Sequence, residues 1–326
     1  MSVIQVFPKK NVECVCYAWT ATRSIKVVGS ILGQKKATGL TTISAICARK
    51  SFTRVSMTKL RPPIKTHGGK YYLSKWIIEQ FPEGYEKMIY CEPFCAGASV
   101  FLNKEPSEEE VLSDLQCGVV YIFKALRDEP QEFITRLKRT RYTERAFKMA
   151  QNREEKGFED YIDHAVNEFI LRRMSRGGLK KSFAWSERER GGQPGDLNAW
   201  ETMIAQLPTI AERAANATLL CEDFREVIKV WDEENTLFYL DPPYLHSTRA
   251  EGTTSAYECE MTVEDHMDLL TILKTIQGKV ILSGYSSPLY NRSLKEGWRC
   301  KRKQMANHSG QGKKKSRRTE CIWLNF

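Results

Sequence analysis

The sequence predicts an α/β protein built on a largely parallel sheet, and three observations support this class. Short apolar runs alternate along the chain with longer amphipathic segments, as strands and crossover helices do. Several of these runs end at an acidic residue, as in VLSD and LFYLD. With 326 residues and 41% hydrophobic content, the chain is long enough to bury a sizeable core. No apolar run reaches the roughly 18 residues that indicate a membrane span, so we expect no membrane partner.

The elements before residue 130 alternate between helix and strand. An amphipathic stretch follows the THGGK segment, and two apolar runs, KMIYCEPF and EVLSD, are separated by a turn of small residues and a short helix. Such alternation favours parallel strands joined by crossover helices. The predicted helices cover 71–81, 99–102 and 117–127, and the predicted strands cover 87–94 and 110–114.

The middle of the chain predicts a mainly helical insert over residues 130–200. Apolar residues between Phe158 and Met174 recur at the i, i+3, i+4, i+7 spacing of one helix face. The segment that follows, SRGGLKKSFAWSERERGGQPGD, contains five glycines and has no periodicity. We expect a long loop there, and loops of this length are usually functional or disordered.

Alternation between helix and strand resumes after the insert. The run LFYL stops at Asp241, and KVILSGY has the composition of another buried strand. The predicted helices in this part lie at 198–214, after Thr262 and at 288–294. The predicted strands lie at 217–223, 237–240, 279–285, 297–303 and 320–326.

The net charge of +10 is concentrated at the two ends of the chain. Residues 1–57 hold nine Lys or Arg residues and one acid, and residues 299–326 hold the same numbers. Residues 58–298 hold 32 basic and 38 acidic residues, so the body is mildly acidic. Basic segments beside such a body are typical of proteins with a polyanion partner, and a solvated tail has the same composition.

The basic N-terminal segment, residues 1–57, shows no sustained period of helix or strand. Its Ser/Thr-rich, acid-poor composition resembles a transit peptide. A second interpretation is an upstream extension with the working start at Met57, where a coherent pattern begins. We favour this second interpretation and expect the extension to be disordered.

The ten cysteines are scattered, with no C-x-x-C pair and no Cys/His cluster at zinc spacing. A chain of this size with such cysteines is typical of a cytoplasmic protein with reduced, mostly buried thiols. The sequence therefore predicts neither a disulfide framework nor a metal site.

Two strand ends predict a nucleoside site, because ligands of open α/β sheets bind at the carboxyl ends of the strands. EPFCAGASVF places small residues between a strand and a helix, where a ligand can approach the backbone. Asp114 ends the next strand, 20 residues after Phe94, and an acid at this distance holds ribose hydroxyls in dinucleotide folds. The glycines of a pyrophosphate loop are missing, which favours a nucleoside ligand without a diphosphate.

The third strand end, DPPY, predicts a seat for a planar heterocycle that carries an amine. Asp241 places an acceptor at the end of a buried strand, and Pro242 and Pro243 fix the backbone and remove two N–H donors. Tyr244 offers a ring on which a base can stack, worth roughly 1–3 kcal/mol per base.

In these residues the chain resembles the DNA adenine methylase (Dam) family over residues 64–326. The resemblance lies in IKTHGGK, EPFCAGASVF, LSD, DPPY, ILSGYSSPLY and ECIWLNF, in the order of the α-type amino-methyltransferases. Two positions depart from the family pattern. Thr66 stands where an aromatic residue is usual, and Ala96 stands where glycine is frequent, which puts the donor affinity in question.

The resemblance implies a Rossmann-like methyltransferase fold with a mixed seven-stranded sheet. It divides the chain into a catalytic domain, residues 58–129 and 201–326, and a target-recognition insert, residues 130–200. It implies S-adenosyl-L-methionine as the methyl donor, no metal, and Asp241, Pro242, Pro243 and Tyr244 as catalytic residues. The residues that it assigns to the donor are Thr66, Gly68, Gly69, Lys70, Glu92, Phe94, Gly97, Asp114, Asp223, Phe224 and Asp241.

The activity that the resemblance implies is methyl transfer to adenine N6 in a specific sequence of double-stranded DNA, with the base flipped out. We expect a monomer in the cytoplasm, at a bacterial nucleoid or in a virus-infected host. An RNA adenine methyltransferase and a catalytically silent DNA-binding relative remain alternatives. Basic residues of the insert and of the C-terminal stretch are expected to contact DNA, namely Arg172, Arg173, Arg176, Lys180, Lys181, Lys313, Lys314 and Arg317.

Overall fold

The computed structural model describes residues 59–249, 258–306 and 317–326 of the chain. The predicted N-terminal extension and the predicted DNA contacts Lys313 and Lys314 lie outside the described residues. In the described part of the chain, no helix has the length and apolar character needed to cross a membrane.

Seven strands form the main sheet, and their order confirms the predicted fold class. They are β1 Ile89–Glu92, β2 Glu109–Ser113, β5 Thr218–Leu220, β6 Thr236–Leu240, β7 Lys279–Gly284, β8 Arg299–Ala306 and β9 Arg317–Leu324. The order across the sheet is β5-β2-β1-β6-β7-β9-β8. β9 runs antiparallel to both of its neighbours, and the other described pairings within this sheet are parallel. The sheet is therefore mixed, and its strand order reverses between β1 and β6.

The register of the central strands brings their carboxyl ends to one edge. Cys91 of β1 lies opposite Phe238 of β6, and Glu92 lies opposite Leu112 of β2. All five residues of β6 are buried, as expected for a central strand that is covered on both faces. The segments that leave β1, β2 and β6 consequently emerge together, beside the point where the strand order reverses.

Nine α-helices accompany the sheet in the described ranges. Several begin with a side-chain cap: Thr143 accepts from the Ala146 amide, and Thr262 and Asp265 form a reciprocal capping box. The helices are α1 Ser74–Ile78, α2 Cys117–Asp128, α3 Pro130–Arg139, α4 Glu144–Glu154, α5 Tyr161–Met174, α6 Gly195–Ala214, α7 Phe224–Trp231, α8 Val263–Ile272 and α9 Pro288–Ser293. A small hairpin, β3 Glu189–Arg190 and β4 Gln193–Pro194, lies within the predicted loop.

Three elements differ from the sequence-based expectations. The helix predicted over 71–81 is reduced to α1, because a turn precedes it and Glu79 ends it. The helix predicted at 99–102 is a single 3-10 turn, Phe101–Asn103, after two residues with positive φ, Ala96 and Ala98. The pattern also missed α7, which is short and begins immediately after the strand end at Asp223.

The helical insert shares the core of the sheet domain. Phe133, Phe169 and Trp200 belong to the same buried cluster as Leu112 and Tyr239. The predicted boundary at residue 200 falls inside α6. The insert helix α5 and helix α6 thus pack against α2, which follows β2 of the sheet.

Candidate active site

A cavity of about 270 Å³ lies at the carboxyl edge of the central strands. Residues that follow four strands, β1, β2, β5 and β6, line it together with residues from the segment before α1. Seven of the residues predicted to bind the donor or to act in catalysis are among them: Thr66, Phe94, Asp114, Asp223, Phe224, Asp241 and Pro243. The structure therefore brings residues that are far apart in sequence into one site.

Asp114 joins the loop after β1 to the start of α2. Its Oδ2 accepts a hydrogen bond from the Ala96 amide at 2.9 Å, and its Oδ1 accepts from the Gln116 amide at 2.9 Å. Burial raises the pKa of this carboxyl, and the two amide donors oppose the rise. Asp114 therefore fixes the small-residue turn by a hydrogen bond to its backbone. The same side chain lines the cavity.

Two aromatic rings form a wall of the cavity that Asp114 also lines. The rings of Phe94 and Phe224 lie with their centroids 5.2 Å apart and their planes at 32°. Asp223 caps α7 by accepting from the Arg225 amide at 2.9 Å, and the Arg225 guanidinium lies 4.5 Å from the centre of the Phe224 ring. Flat apolar rings beside a carboxylate suit a heterocycle that carries an amine.

Asp241 is paired with Lys70 at the other end of the cavity lining. Lys70 Nζ lies 2.9 Å from Asp241 Oδ1 and donates to the Gly68 carbonyl at 2.7 Å. Both side chains are largely shielded from solvent. Burial raises the pKa of Asp241, and the positive charge of Lys70 opposes this effect. The loop predicted to hold a donor therefore also supplies the cation beside the predicted catalytic acid.

Tyr244 does not line the cavity. It is 8% exposed, and three neighbouring side chains contact it. Its hydroxyl donates to Glu320 Oε2 at 2.8 Å, and Tyr285 contacts its ring edge-on with centroids 4.7 Å apart. The Lys70 ammonium lies 4.8 Å from the ring centre. Pro242 is buried as well.

Glu92 and the predicted glycines support the site without lining its cavity. Glu92 is buried and accepts from the Tyr90 hydroxyl at 2.9 Å, and burial raises its pKa to about 8. A Cβ atom on Gly97 would lie 3.0 Å from Pro62, and one on Gly69 would lie 2.9 Å from Thr66. These positions are set by close packing of the loops around the cavity.

The turn that follows α5 completes the cavity, which the sequence did not indicate. Gly178, Leu179 and Lys181 line it together with the strand ends. Gly178 has a φ of 75°, and a Cβ atom there would lie 2.0 Å from the Lys65 carbonyl oxygen. Since that contact is backbone against backbone, only glycine allows the insert to pack on the segment that contains Thr66 and Lys70.

Two of the predicted DNA contacts, Arg172 and Lys180, point into the protein. Both pair with the buried carboxylate of Glu168, and both also reach Glu258. Because these cations are neutralised by carboxylates of the same chain, little of their charge is available to bind a phosphate. The i, i+4 spacing of Glu168 and Arg172 was a sequence signal for one of these pairs, whereas the pairing of Lys180 depends on segments that lie further away in the chain.

Among the other predicted DNA contacts, two are exposed and Arg173 is half-buried. Arg176 and Lys181 are exposed. Arg173 lines a second cavity, of about 530 Å³, together with Lys59 and Arg61. Its Nη2 donates to the Ala199 carbonyl at 2.7 Å, and its Nε is without a hydrogen-bond partner among the described residues. Arg317 belongs to β9, and its side chain lies outside the described features.

A buried acid after the fourth main strand, a cavity at the reversal of strand order and an antiparallel strand near one edge together define an α/β transferase of the methyltransferase class. Residues 67–307 match the family model of the D12 class N6 adenine-specific DNA methyltransferase. This match covers more than half of the chain, and the chain belongs to that family. The resemblance to the DNA adenine methylases is thereby confirmed, and the chain is an adenine-specific DNA methyltransferase.

Individual relatives agree with this assignment. A DNA adenine methylase from Vibrio cholerae serotype O1 is 28% identical over 217 residues, 66% of this chain and 76% of the relative. The DNA adenine methylase of Escherichia coli K12 is 27% identical over 240 residues, 72% and 84% of the two chains. The DNA N-6-adenine-methyltransferase of Escherichia phage P1 is 24% identical over 264 residues, 75% of this chain and 33% of the phage protein.

A solved structure of an rRNA methylase from Streptococcus thermophilus aligns with a TM-score of 0.31 and 10% identity, over 82% of this chain and 98% of that one. The fold assignment rests on the sheet order described above.

Proposed function

We propose that the chain transfers a methyl group from S-adenosyl-L-methionine to the N6 atom of an adenine that is turned out of double-stranded DNA. The observation that carries this proposal is the position of Asp241. This acid follows a buried central strand, pairs with Lys70 and lines the same cavity as Asp114 and the two phenylalanine rings. An acceptor for the target amine thus adjoins a site that suits a nucleoside.

The residues of the cavity fit the proposed donor. Phe94 and Phe224 offer apolar faces for the adenine of the donor, and Asp223 offers an acceptor for its amine. Asp114 retains acceptor capacity for ribose hydroxyls, since each of its oxygens receives one amide hydrogen bond. The loop of Thr66 and Lys70 would hold the methionine portion. When bound, the donor supplies a methyl group on a positively charged sulfur.

The chemical task of Asp241 follows from the electronic structure of the substrate amine. The N6 nitrogen of adenine is a poor nucleophile, because its lone pair is conjugated with the ring. Asp241 and the Pro242 carbonyl would accept the two N6 hydrogens, which frees the lone pair for the new bond to carbon. One proton then leaves the nitrogen for the Asp241 carboxylate. This is catalysis by positioning and by fixed charge.

Access to the target base requires base flipping and a rearrangement near Tyr244. A base within the duplex cannot reach Asp241, so the enzyme must turn it out of the stack. We propose that the base then stacks on Tyr244, whose ring is covered by its neighbours in this structure. Part of this cover would therefore move when the base enters.

The proposed DNA interface lies on the side of the insert. Arg176 and Lys181 are exposed beside the cavity, and Arg173 lies with Lys59 and Arg61 in the second cavity. Such cations would neutralise phosphates and fix the register of the duplex. Arg172 and Lys180 are left out of this proposal, because their charges are paired with Glu168.

The test is transfer of a radiolabelled methyl group to unmethylated double-stranded DNA, with a structured RNA of the same length as the comparison. We expect label in DNA, recovered as N6-methyladenine after nucleoside digestion. Equal or greater labelling of RNA would favour the RNA methyltransferase. DNA binding without any labelling would favour the catalytically silent relative.

A further inference from the structure

We propose that Glu320 is a positioning residue for methyl transfer, which anchors the hydroxyl of Tyr244 and thereby fixes the ring on which the target base stacks. This inference rests on the proposed function, since it assigns a role at the same site. The DPPY motif does not indicate this role, because Glu320 lies 76 residues after Tyr244 in the chain.

The antiparallel strand explains how this acid reaches the active edge. Parallel strands deliver the residues at their carboxyl ends to the site, as β6 delivers Asp241. β9 runs in the opposite direction, so its first half lies at that edge. Cys321 is opposite Gly284, the last residue of β7, and Glu320 lies one position further toward the site. The mixed sheet is thus the feature that places a carboxylate beside Tyr244.

The contacts of Glu320 are specific to the hydroxyl of the tyrosine. Its Oε2 accepts a hydrogen bond from the Tyr244 hydroxyl at 2.8 Å. The Tyr285 ring contacts the Tyr244 ring edge-on, with the two centroids 4.7 Å apart. Arg318, two residues before Glu320, donates to the Tyr285 hydroxyl at 3.5 Å. Two residues of β9 therefore hold two tyrosines, and the bond to Tyr244, at 2.8 Å against 3.5 Å, is the stronger of the two.

Electrostatics add a second effect of the same carboxylate. Tyr244 lies between the ammonium of Lys70, 4.8 Å from its ring centre, and the carboxylate of Glu320. The negative charge of Glu320 also contributes to the raised pKa of Asp241, after burial as the main cause. Removing this charge while keeping an acceptor would therefore lower the pKa of Asp241, which packing alone would not change.

The experiment compares four variants of the full chain in methyl transfer to unmethylated duplex DNA: Glu320→Ala, Glu320→Gln, Tyr244→Phe and the double variant Tyr244→Phe with Glu320→Ala. The matched control is Glu109→Gln, an exposed acid at the first position of β2 on the opposite side of the sheet. Thermal unfolding and calorimetric binding of the methyl donor are measured for each protein, so that loss of folding is separated from loss of catalysis.

We expect Glu320→Ala to lower kcat roughly 10-fold or more with donor binding unchanged, since it removes a hydrogen bond to a charged group. Glu320→Gln should retain more activity, because its amide oxygen can still accept from Tyr244. The double variant should be no slower than Tyr244→Phe alone. With Glu320→Gln, the acid limb of the pH–kcat profile should shift to lower pH, and Glu109→Gln should match the wild type.

Two different results would overturn the inference, and they are distinguishable. If the wild type methylates DNA and Glu320→Ala has wild-type kcat, or if its loss adds fully to that of Tyr244→Phe, Glu320 does not act through this ring. If the wild type transfers no methyl group to DNA, the proposed function fails first and the inference with it.

Discussion

The sheet edge and the helical insert both place charged residues around the same cavity, but they use them differently. At the sheet edge, Asp114 and Asp241 follow strands and are held by backbone amides or by one lysine, with their remaining oxygen sites toward the cavity. In the insert, Arg172 and Lys180 are bound to Glu168, and their charges cancel within the protein. A charge at the end of a strand is available for chemistry, whereas a charge on a packed helix face is as often structural.

The largest expected effect is on the sheet side of this comparison. Lys70→Ala leaves Asp241 buried without its cation, so the pKa of Asp241 should rise further. A smaller fraction of the carboxyl is then ionised at a given pH, and we expect kcat to fall about 100-fold, with the acid limb of the pH profile moved to higher pH. Steady-state methylation rates across pH measure this. A variant with an unshifted profile would mean that Lys70 does not act on Asp241.

On the insert side, the corresponding change should affect stability and leave DNA binding intact. Arg172→Leu removes a partner of the buried Glu168 carboxylate, and breaking a buried pair costs about 3–5 kcal/mol. Urea unfolding should show this loss, and the salt dependence of DNA binding should not change. The control is the double variant Arg172→Leu with Glu168→Leu, which should recover much of the stability. A reduced salt slope for the single variant would place Arg172 in the DNA interface after all.

An intermediate effect is expected at the aromatic wall. Phe224→Ala removes one of two rings that face the cavity, and stacking on such a ring contributes roughly 1–3 kcal/mol. Calorimetry should show the methyl donor bound about 10-fold more weakly, with the KM for DNA unchanged. Phe224→Tyr keeps the ring and serves as the control. If Phe224→Ala binds the methyl donor with wild-type affinity, the donor does not bind in this part of the cavity.

The smallest effect is expected for an exposed cation of the insert. Lys181→Gln should weaken DNA binding a few-fold for all sequences and lower the slope of log K against log salt by about 1. Lys180→Gln is the neighbouring control, since Lys180 pairs with Glu154 and Glu168. The two adjacent lysines therefore test whether exposure or position in the sequence decides a DNA contact. If both variants have the same slope of log K against log salt, the distinction between an exposed lysine and a paired one does not decide DNA binding.

These differences also explain what the sequence could predict. The positions of Asp114 and Asp241 follow from local patterns, because each acid ends a strand-like run and parallel strands end at one edge. Asp223 and the two rings of the aromatic lining, Phe94 and Phe224, were predicted from the family resemblance. The register and the parallel direction of the strands bring these strand ends together at one edge of the sheet.

The features that the sequence could not predict depend on contacts between distant segments. Gly178 packs on Lys65, 113 residues away, and its role is visible only as a close approach of two backbones. Glu320 meets Tyr244 because β9 is antiparallel. Arg172 looks like a surface cation until its contacts with Gln116 and Glu258, from other segments of the chain, are known. No periodicity or motif encodes such pairings.

The most direct test of the account measures two properties of Asp241→Ala beside the wild type: formation of N6-methyladenine in duplex DNA, by mass spectrometry of its nucleosides, and calorimetric binding of S-adenosyl-L-methionine. The account predicts that N6-methyladenine disappears while the donor still binds with nearly wild-type affinity. Undiminished methylation by Asp241→Ala would contradict it.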